Sequence, residues 1–199
     1  MVADVQRAVE VLRAGGLVAI PTDTVYGLAA SLHSPEAIEA IYAVKGRESA
    51  KALPILVDGM GRIETYAEDA PKSALLLAEA FWPGALTIVV RASDQVPHGI
   101  HRGANTVGLR MPDNPLALQV ISAAGGGLAV TSANLSGAAE ALTAAEVRCA
   151  LGDRVGAIVD GGRARGGSPS TVVDLTGREL RILRQGTITL DQLRQALSG

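Results

Sequence analysis

The chain has 199 residues but one cysteine, Cys149, and its aromatic side chains amount to three tyrosines, one tryptophan and one phenylalanine. A single thiol excludes an intramolecular disulfide and a thiolate metal cluster. Its setting in a small-residue helical stretch predicts a buried packing role, the usual place of a free cysteine. So few aromatics leave little from which to build the stacking platforms of single-strand binders. A formal net charge of −2 lacks the basic footprint of a dedicated nucleic-acid binder, so any polyanion site must be local. No apolar run approaches the roughly 20 residues that span a bilayer. Asp4, Arg7, Glu10 and Arg13 break up the N-terminal apolar positions that a secretory leader would need. A soluble, cytoplasmic protein with no membrane association is therefore expected. Neither a Walker A motif nor a strand-linked G-x-G-x-x-G fingerprint occurs, so an ATP site would have to be built differently. His33, His98 and His101 sit in polar or turn-rich contexts without a recognisable metal-ligand spacing, and they support neither a metal site nor a Ser-His-acid triad.

What is present is apolar patterning, with 48% hydrophobic residues, enough for one domain over 1–199 to bury a core of its own. Val5, Ala8, Val9 and Leu12 share a helical face, with Asp4 as N-cap and Gly15-Gly16 as the stop. Residues 17–20 read as a buried strand ended by Pro21. Ser34-Pro35-Glu36 opens a helix that finishes near Lys45. Strands are expected at 53–57, 86–90, 107–109 and 128–130. Helices are expected after Pro71 and after Asp113, the latter read as an N-cap. Thr143 with Glu146, and Thr189 with Gln192, have capping-box spacing. Strands near 157–159, 171–175 and 179–183 come in succession. Alternating elements that close on several strands favour α/β layers around a mixed sheet. The glycine-rich stretch 161–167, with Arg163 and Arg165, reads as a mobile loop.

Three polar segments stand beside these elements. The first, 21–28, follows a buried strand, where α/β proteins commonly place ligand-binding groups. Its Thr22, Asp23, Thr24 and Tyr26 could orient a small polar substrate, or Asp23 and the threonines could satisfy a turn. Lys45-Gly46-Arg47 ends a helix. Its cations either compensate the negative helix terminus or hold phosphate, Lys45 as a point charge and Arg47 as a planar fork. Thr131-Ser132-Ala133-Asn134 follows another strand and is either a polar turn or a set of uncharged nucleotide contacts. Arg110 and Arg184 are cations at strand ends, each either a surface arginine or an anion clamp.

Taken in order, PTDTVYGL at 21–28, KGR at 45–47, FWPGALT at 81–87, VGLRMPDNPLA at 107–117, TSANLSG at 131–137, STVVDLT at 170–176 and LRQG at 183–186 resemble the YrdC/Sua5 family of threonylcarbamoyl-adenylate synthases. The resemblance implies a twisted mixed sheet with flanking helices around a positively charged cavity, of the short, single-domain type. It implies a nucleotidyltransferase reaction that joins L-threonine, bicarbonate and ATP into threonylcarbamoyl-AMP and pyrophosphate. The product would go to a downstream tRNA threonylcarbamoyl transferase for N6-threonylcarbamoyladenosine (t6A) modification. The family signature falls on Lys45, Arg47, Ser132 and Asn134 as catalytic and ATP-binding residues, joined by Arg184. The resemblance also gives Thr22, Thr24, Tyr26, Arg110 and Ser170 to the substrate, with Arg110 on the threonine carboxylate. Mg²⁺ would enter on the ATP phosphates without a protein ligand set of its own, and loop 161–167 would close over the site. Two departures stand out: Glu48 replaces a common proline, and Leu56 stands where many members carry a histidine. The competing readings are a non-catalytic module for double-stranded RNA or tRNA, with weak RNA binding, and a carbamoyl-transfer module like that of hydrogenase-maturation proteins.

Overall fold

The computed structural model describes residues 2–46, 48, 51–166, 169–177 and 179–198. In chain order its elements are α1 (Val2–Arg13), β1 (Val18–Ile20), β2 (Gly27–Ser31), α2 (Pro35–Lys45), β3 (Ile55–Val57), α3 (Arg62–Tyr66), α4 (Lys72–Phe81), β4 (Leu86–Arg91), α5 (His98–His101), β5 (Thr106–Arg110), α6 (Pro115–Ala123), β6 (Gly127–Ser132), α7 (Ala144–Leu151), β7 (Ala157–Ile158), β8 (Thr171–Asp174), β9 (Arg181–Arg184) and α8 (Leu190–Ser198). All nine strands form one mixed sheet in the order β7-β1-β2-β6-β3-β5-β4-β8-β9. The three pairs β1–β7, β3–β5 and β4–β8 are parallel; β1–β2, β2–β6, β3–β6, β4–β5 and β8–β9 are antiparallel.

The two-residue period of the strands sorts side chains onto two faces. On the first face, Leu28, Ala30, Ile55, Val57, Ile88, Val90, Val107, Leu109 and Val173 join a core with residues of α2, α4, α7 and α8. On the second, Val18, Ile20, Ala29, Leu56, Leu128 and Val130 pack under Ala8 and Leu12 of α1 and Ala117, Val120 and Ile121 of α6. Those two helices pack on each other and on β7, β1, β2, β6 and β3. They leave the second face open over β5, β4, β8 and β9.

Several elements follow directly from local chemistry. The Ser34 hydroxyl caps α2 and Gly46 ends it in the left-handed region at φ 59, a conformation glycine adopts at little cost. Thr143 and Glu146 form the expected capping box on α7, and Thr189 and Gln192 exchange the corresponding bonds before α8. Others differ from expectation. Helix α1 already includes Asp4, which lies in its first turn. Asn114, and not Asp113, caps α6, its Oδ1 accepting from Leu116 and Ala117; the backbone N–H of Asp113 is instead given to Asp23. Strand β2 begins at Gly27, inside a segment whose polar residues read as loop. Cys149 is exposed, because the buried positions of α7 are Ala144, Val147 and Leu151 and Cys149 falls off that stripe. The described part of the glycine-rich loop is stitched down at several points: Ala164 N–H donates to Leu142, Gly166 N–H to Thr24, and Gly161 N–H to the Tyr26 hydroxyl. Among the described residues, no helix is long and apolar enough to cross a membrane.

Candidate active site

The open part of the second face is the floor of a cavity of about 380 Å³. Alternate residues supply it: Thr87 and Val89 from β4, Thr106, Gly108 and Arg110 from β5, Val172 from β8, and Leu56 and Val130 at the border with the covered part. Thr22, Thr24, Ser132 and Glu140 enter from loops and strand ends, and Ser170 and Arg184 close the far side. A second groove, of about 770 Å³, is lined by Glu64, Glu68, Asp94, His98 and His101 among others. Its acidic residues are wrongly charged for a phosphate or carboxylate. Among the described residues, no group of three or more His, Cys, Asp or Glu side chains is arranged to hold a metal ion.

Arg110 is the strongest feature of the cavity. It is 7% exposed, and its guanidinium is held on three sides. Nε donates to the Gly84 carbonyl at 2.9 Å, Nη1 to Thr24 Oγ1 at 3.1 Å and Nη2 to Asp23 Oδ1 at 2.6 Å. Of the five N–H groups of an arginine, three are spent in these bonds and two stay unspent among the described residues, the number a bidentate carboxylate or phosphate takes. Burial pushes the Arg110 pKa below its ordinary value; the Asp23 carboxylate opposes that shift and Arg184 adds to it.

Thr22 is a turn residue. Its hydroxyl donates to the Val25 carbonyl at 2.7 Å and accepts from the backbone N–H groups of Thr24 and Val25, the turn reading weighed for this segment. Thr24 is the link from that turn to Arg110. Tyr26 departs from its expected place in the substrate site. Its side chain is fully buried in the first core, does not line the cavity, and donates to Gly162 O at 2.7 Å while accepting from Gly161 N at 3.1 Å. Tyr26 immediately precedes β2 and continues its alternation, joining Leu28 in the same core while Gly27 between them lines the cavity. Burial raises its pKa above 10.0, with the Gly161 bond opposing, so the phenol stays protonated.

On the far side, Ser170 Oγ accepts from Arg184 Nη2 at 2.9 Å and lies 2.8 Å from Thr87 Oγ1. An arginine only donates, so the two hydroxyls share one mutual bond and keep one proton for a ligand acceptor. Arg184 is exposed at the mouth; partial desolvation lowers its pKa, and Glu140 opposes.

Lys45, at the end of α2, meets the 132–134 segment. Lys45, 4% exposed, donates from Nζ to the Ser132 carbonyl, to the Asn134 carbonyl at 2.7 Å and to Asn134 Oδ1 at 3.1 Å. Its own carbonyl accepts from Ser136 N at 2.8 Å. Ser132 lines the cavity, whereas Lys45 and Asn134 lie outside the lining. Arg47 lies outside the described residues. Leu56 is paired in register with Arg110 and gives the floor beside it an apolar wall. Sequence reasoning did not single out Thr87, Glu140 or the partnership of Asp23 with Arg110. The first was legible only as a strand residue, and the last joins residues 87 apart.

The fold and site thus define an α/β protein whose mixed sheet carries, on one half-open face, a cavity with a buried arginine in its floor. The family model for Sua5, YciO and YrdC proteins, described as telomere recombination, matches residues 10–186. The chain belongs to that family. It is 38% identical over 94% of its length to the threonylcarbamoyl-AMP synthase of Pyrococcus abyssi, of which it spans 55%, about half. It is 32% identical over 94% of its length to the synthase of Vibrio cholerae, of which it spans 99%. The crystal structure of P. abyssi Sua5 complexed with L-threonine superposes with a TM-score of 0.93 at 37% identity, over 97% of this chain and 57% of that one.

Proposed function

We propose that the protein is an L-threonylcarbamoyladenylate synthase, forming threonylcarbamoyl-AMP and pyrophosphate from L-threonine, bicarbonate and ATP. The observation that carries this is the Arg110 clamp with its two unspent N–H groups at the floor of the cavity. The likeness to a threonine-bound relative supports the choice of amino acid, and the relatives named as synthases favour catalysis over the RNA-binding reading.

The chemistry asks little covalent work of the protein. The threonine amine and bicarbonate give a carbamate with loss of water. A carbamate oxygen then attacks the α-phosphorus of ATP as the bond to the β,γ-pyrophosphate breaks. The substrate brings the nucleophile, so the side chains orient reactants and stabilise charge. Arg110 holds the threonine carboxylate, and the Thr87–Ser170 pair offers one proton to a ligand oxygen. Arg184 at the mouth meets phosphate. Lys45 fixes the Ser132 to Asn134 loop from behind and adds positive charge, and Arg47 joins the phosphate contacts. Mg²⁺ accompanies the nucleotide. With Glu140 as the one carboxylate among the described lining residues, the cavity is too poor in acidic ligands for an all-protein cage, so the cation would enter on the phosphates. The adenylate passes to a tRNA-modifying transferase.

The test is incubation with ATP, bicarbonate and L-threonine, following pyrophosphate release and the adenylate by mass spectrometry. Threonine-dependent pyrophosphate is expected. Its absence, with salt-dependent double-stranded RNA binding indifferent to ATP, would return the RNA-binding reading.

A further inference from the structure

The Arg110 guanidinium is bonded to a residue that does not itself line the cavity. Asp23 follows β1 in the turn closed by the Thr22 hydroxyl, and its side chain is 7% exposed against 9% for that of Arg110. One carboxylate oxygen, Oδ1, accepts both Arg110 Nη2 at 2.6 Å and the backbone N–H of Asp113 at 3.1 Å. The carboxylate is thus anchored on two sides, by its own turn and by the segment that leads into α6, before it meets the guanidinium.

We propose that Asp23 is the positioning residue of the site: it fixes the rotation and plane of the Arg110 guanidinium so that the two unspent N–H groups face the cavity. An arginine side chain has much rotamer entropy to lose, and it is pre-organised only where its fork is pinned from more than one direction. Gly84 O and Thr24 Oγ1 pin Nε and Nη1; Asp23 takes the remaining terminal nitrogen with the shortest of the three bonds. A buried ion pair is poor as a source of net stability, because both charges are desolvated. Its place beside Arg110, the one buried cation among the described lining residues, points to orientation. Asp23 also places a negative charge behind the clamp, which by itself opposes an incoming carboxylate. The two roles therefore predict opposite signs. If charge alone mattered, removing Asp23 would tighten anion binding; if positioning matters, removal weakens it.

This inference rests on the reading that Arg110 takes the amino-acid carboxylate. It is tested by calorimetric binding of L-threonine and of ATP to the full chain and to Asp23→Ala and Asp23→Asn. Asp23→Ala is expected to weaken threonine about tenfold or more, the worth of one charge-assisted bond, and to leave ATP within about twofold. Asp23→Asn, which keeps an acceptor in place without the charge, is expected to recover part of the loss. Unchanged or tighter threonine binding in Asp23→Ala, equal losses for both ligands, or Asp23→Asn no better than Asp23→Ala would overturn the proposal. Nitrogen-15 NMR of the Arg110 guanidinium in ligand-free protein reads positioning without a substrate. Faster rotation is expected in both variants, and unchanged rotation would also overturn it. Wild-type protein that binds no threonine, with the NMR difference present, would sink the substrate reading and leave Asp23 as the group that orders Arg110.

Discussion

Under α1 and α6, the second face of the sheet shows Val18, Ile20, Ala29, Leu128 and Val130. Beyond β3, the same face shows Thr87, Val89, Thr106, Gly108, Arg110 and Val172 to the cavity. Both stretches obey one alternation, since the intervening positions of every strand feed the other core. What differs is cover. Where a helix lies on the sheet, each outward residue must be apolar or pay for desolvation. Where none does, the strands can carry hydroxyls, a glycine gap and a charge. The cavity lies over the strands that a helix leaves bare.

The largest expected effect lies on the covered side and touches no ligand. Leu12 is 1% exposed between α1 and the sheet, so Leu12→Ala removes buried methyl groups and opens a cavity at a cost of about 3 kcal/mol. Denaturant unfolding should show that loss, while threonine and ATP affinities stay near wild type at temperatures where the variant is folded. A large drop in ligand affinity would mean that the two parts of the face are mechanically one.

Much of the fold was legible in the sequence, though not which strands the helices cover. The order of short apolar strands and capped helices gave a mixed α/β sheet, and the meeting of Lys45 with Ser132 and Asn134 followed from their joint place in a family pattern. The differences from expectation share a physical cause. Tyr26 has a polar tip and sits among threonines, yet strand alternation, invisible while 21–28 read as loop, turns it into the core. The glycine-rich segment looked mobile because composition reports freedom of the chain; its backbone bonds to Leu142, Thr24 and the Tyr26 hydroxyl are long-range. Cys149 was judged by residue type, but the phase of its helix decided its exposure. Asp23 reads as a substrate-orienting or a turn carboxylate; its bond to Arg110 needs that residue brought beside it by the sheet. Local chemistry was legible, whereas partners distant in sequence were not.

A smaller effect on stability, but a direct one on function, is expected at Gly108. A Cβ there would lie 3.1 Å from Thr87 Cγ2, 3.6 Å from Pro54 Cβ and 3.8 Å from Val89 Cγ2. Gly108→Val supplies a residue that suits a strand yet crowds the floor, so overpacking should cost about 1 kcal/mol. The branched side chain would intrude into the cavity. Threonine and ATP affinities should each fall about tenfold, read by calorimetry beside an unfolding curve. Loss of stability without loss of binding would show that ligands do not lie over the bare strands.

The smallest effect is electrostatic. Glu140 faces Arg184 closely enough to oppose the lowering of its pKa, and both line the same mouth. Glu140→Gln keeps the shape of the side chain and removes the negative charge that repels an approaching triphosphate. The KM for ATP should fall about two- to threefold at low ionic strength, with kcat for pyrophosphate release little changed, because charge at a solvent-facing rim acts mainly on encounter. The gain should shrink as salt rises and the Debye length contracts toward about 8 Å at physiological strength. A weaker ATP KM in Glu140→Gln, or a drop in kcat at saturating ATP, would instead assign Glu140 to the cation that the phosphates carry. The open end of the face would then bind nucleotide through a carboxylate as well as through its arginines.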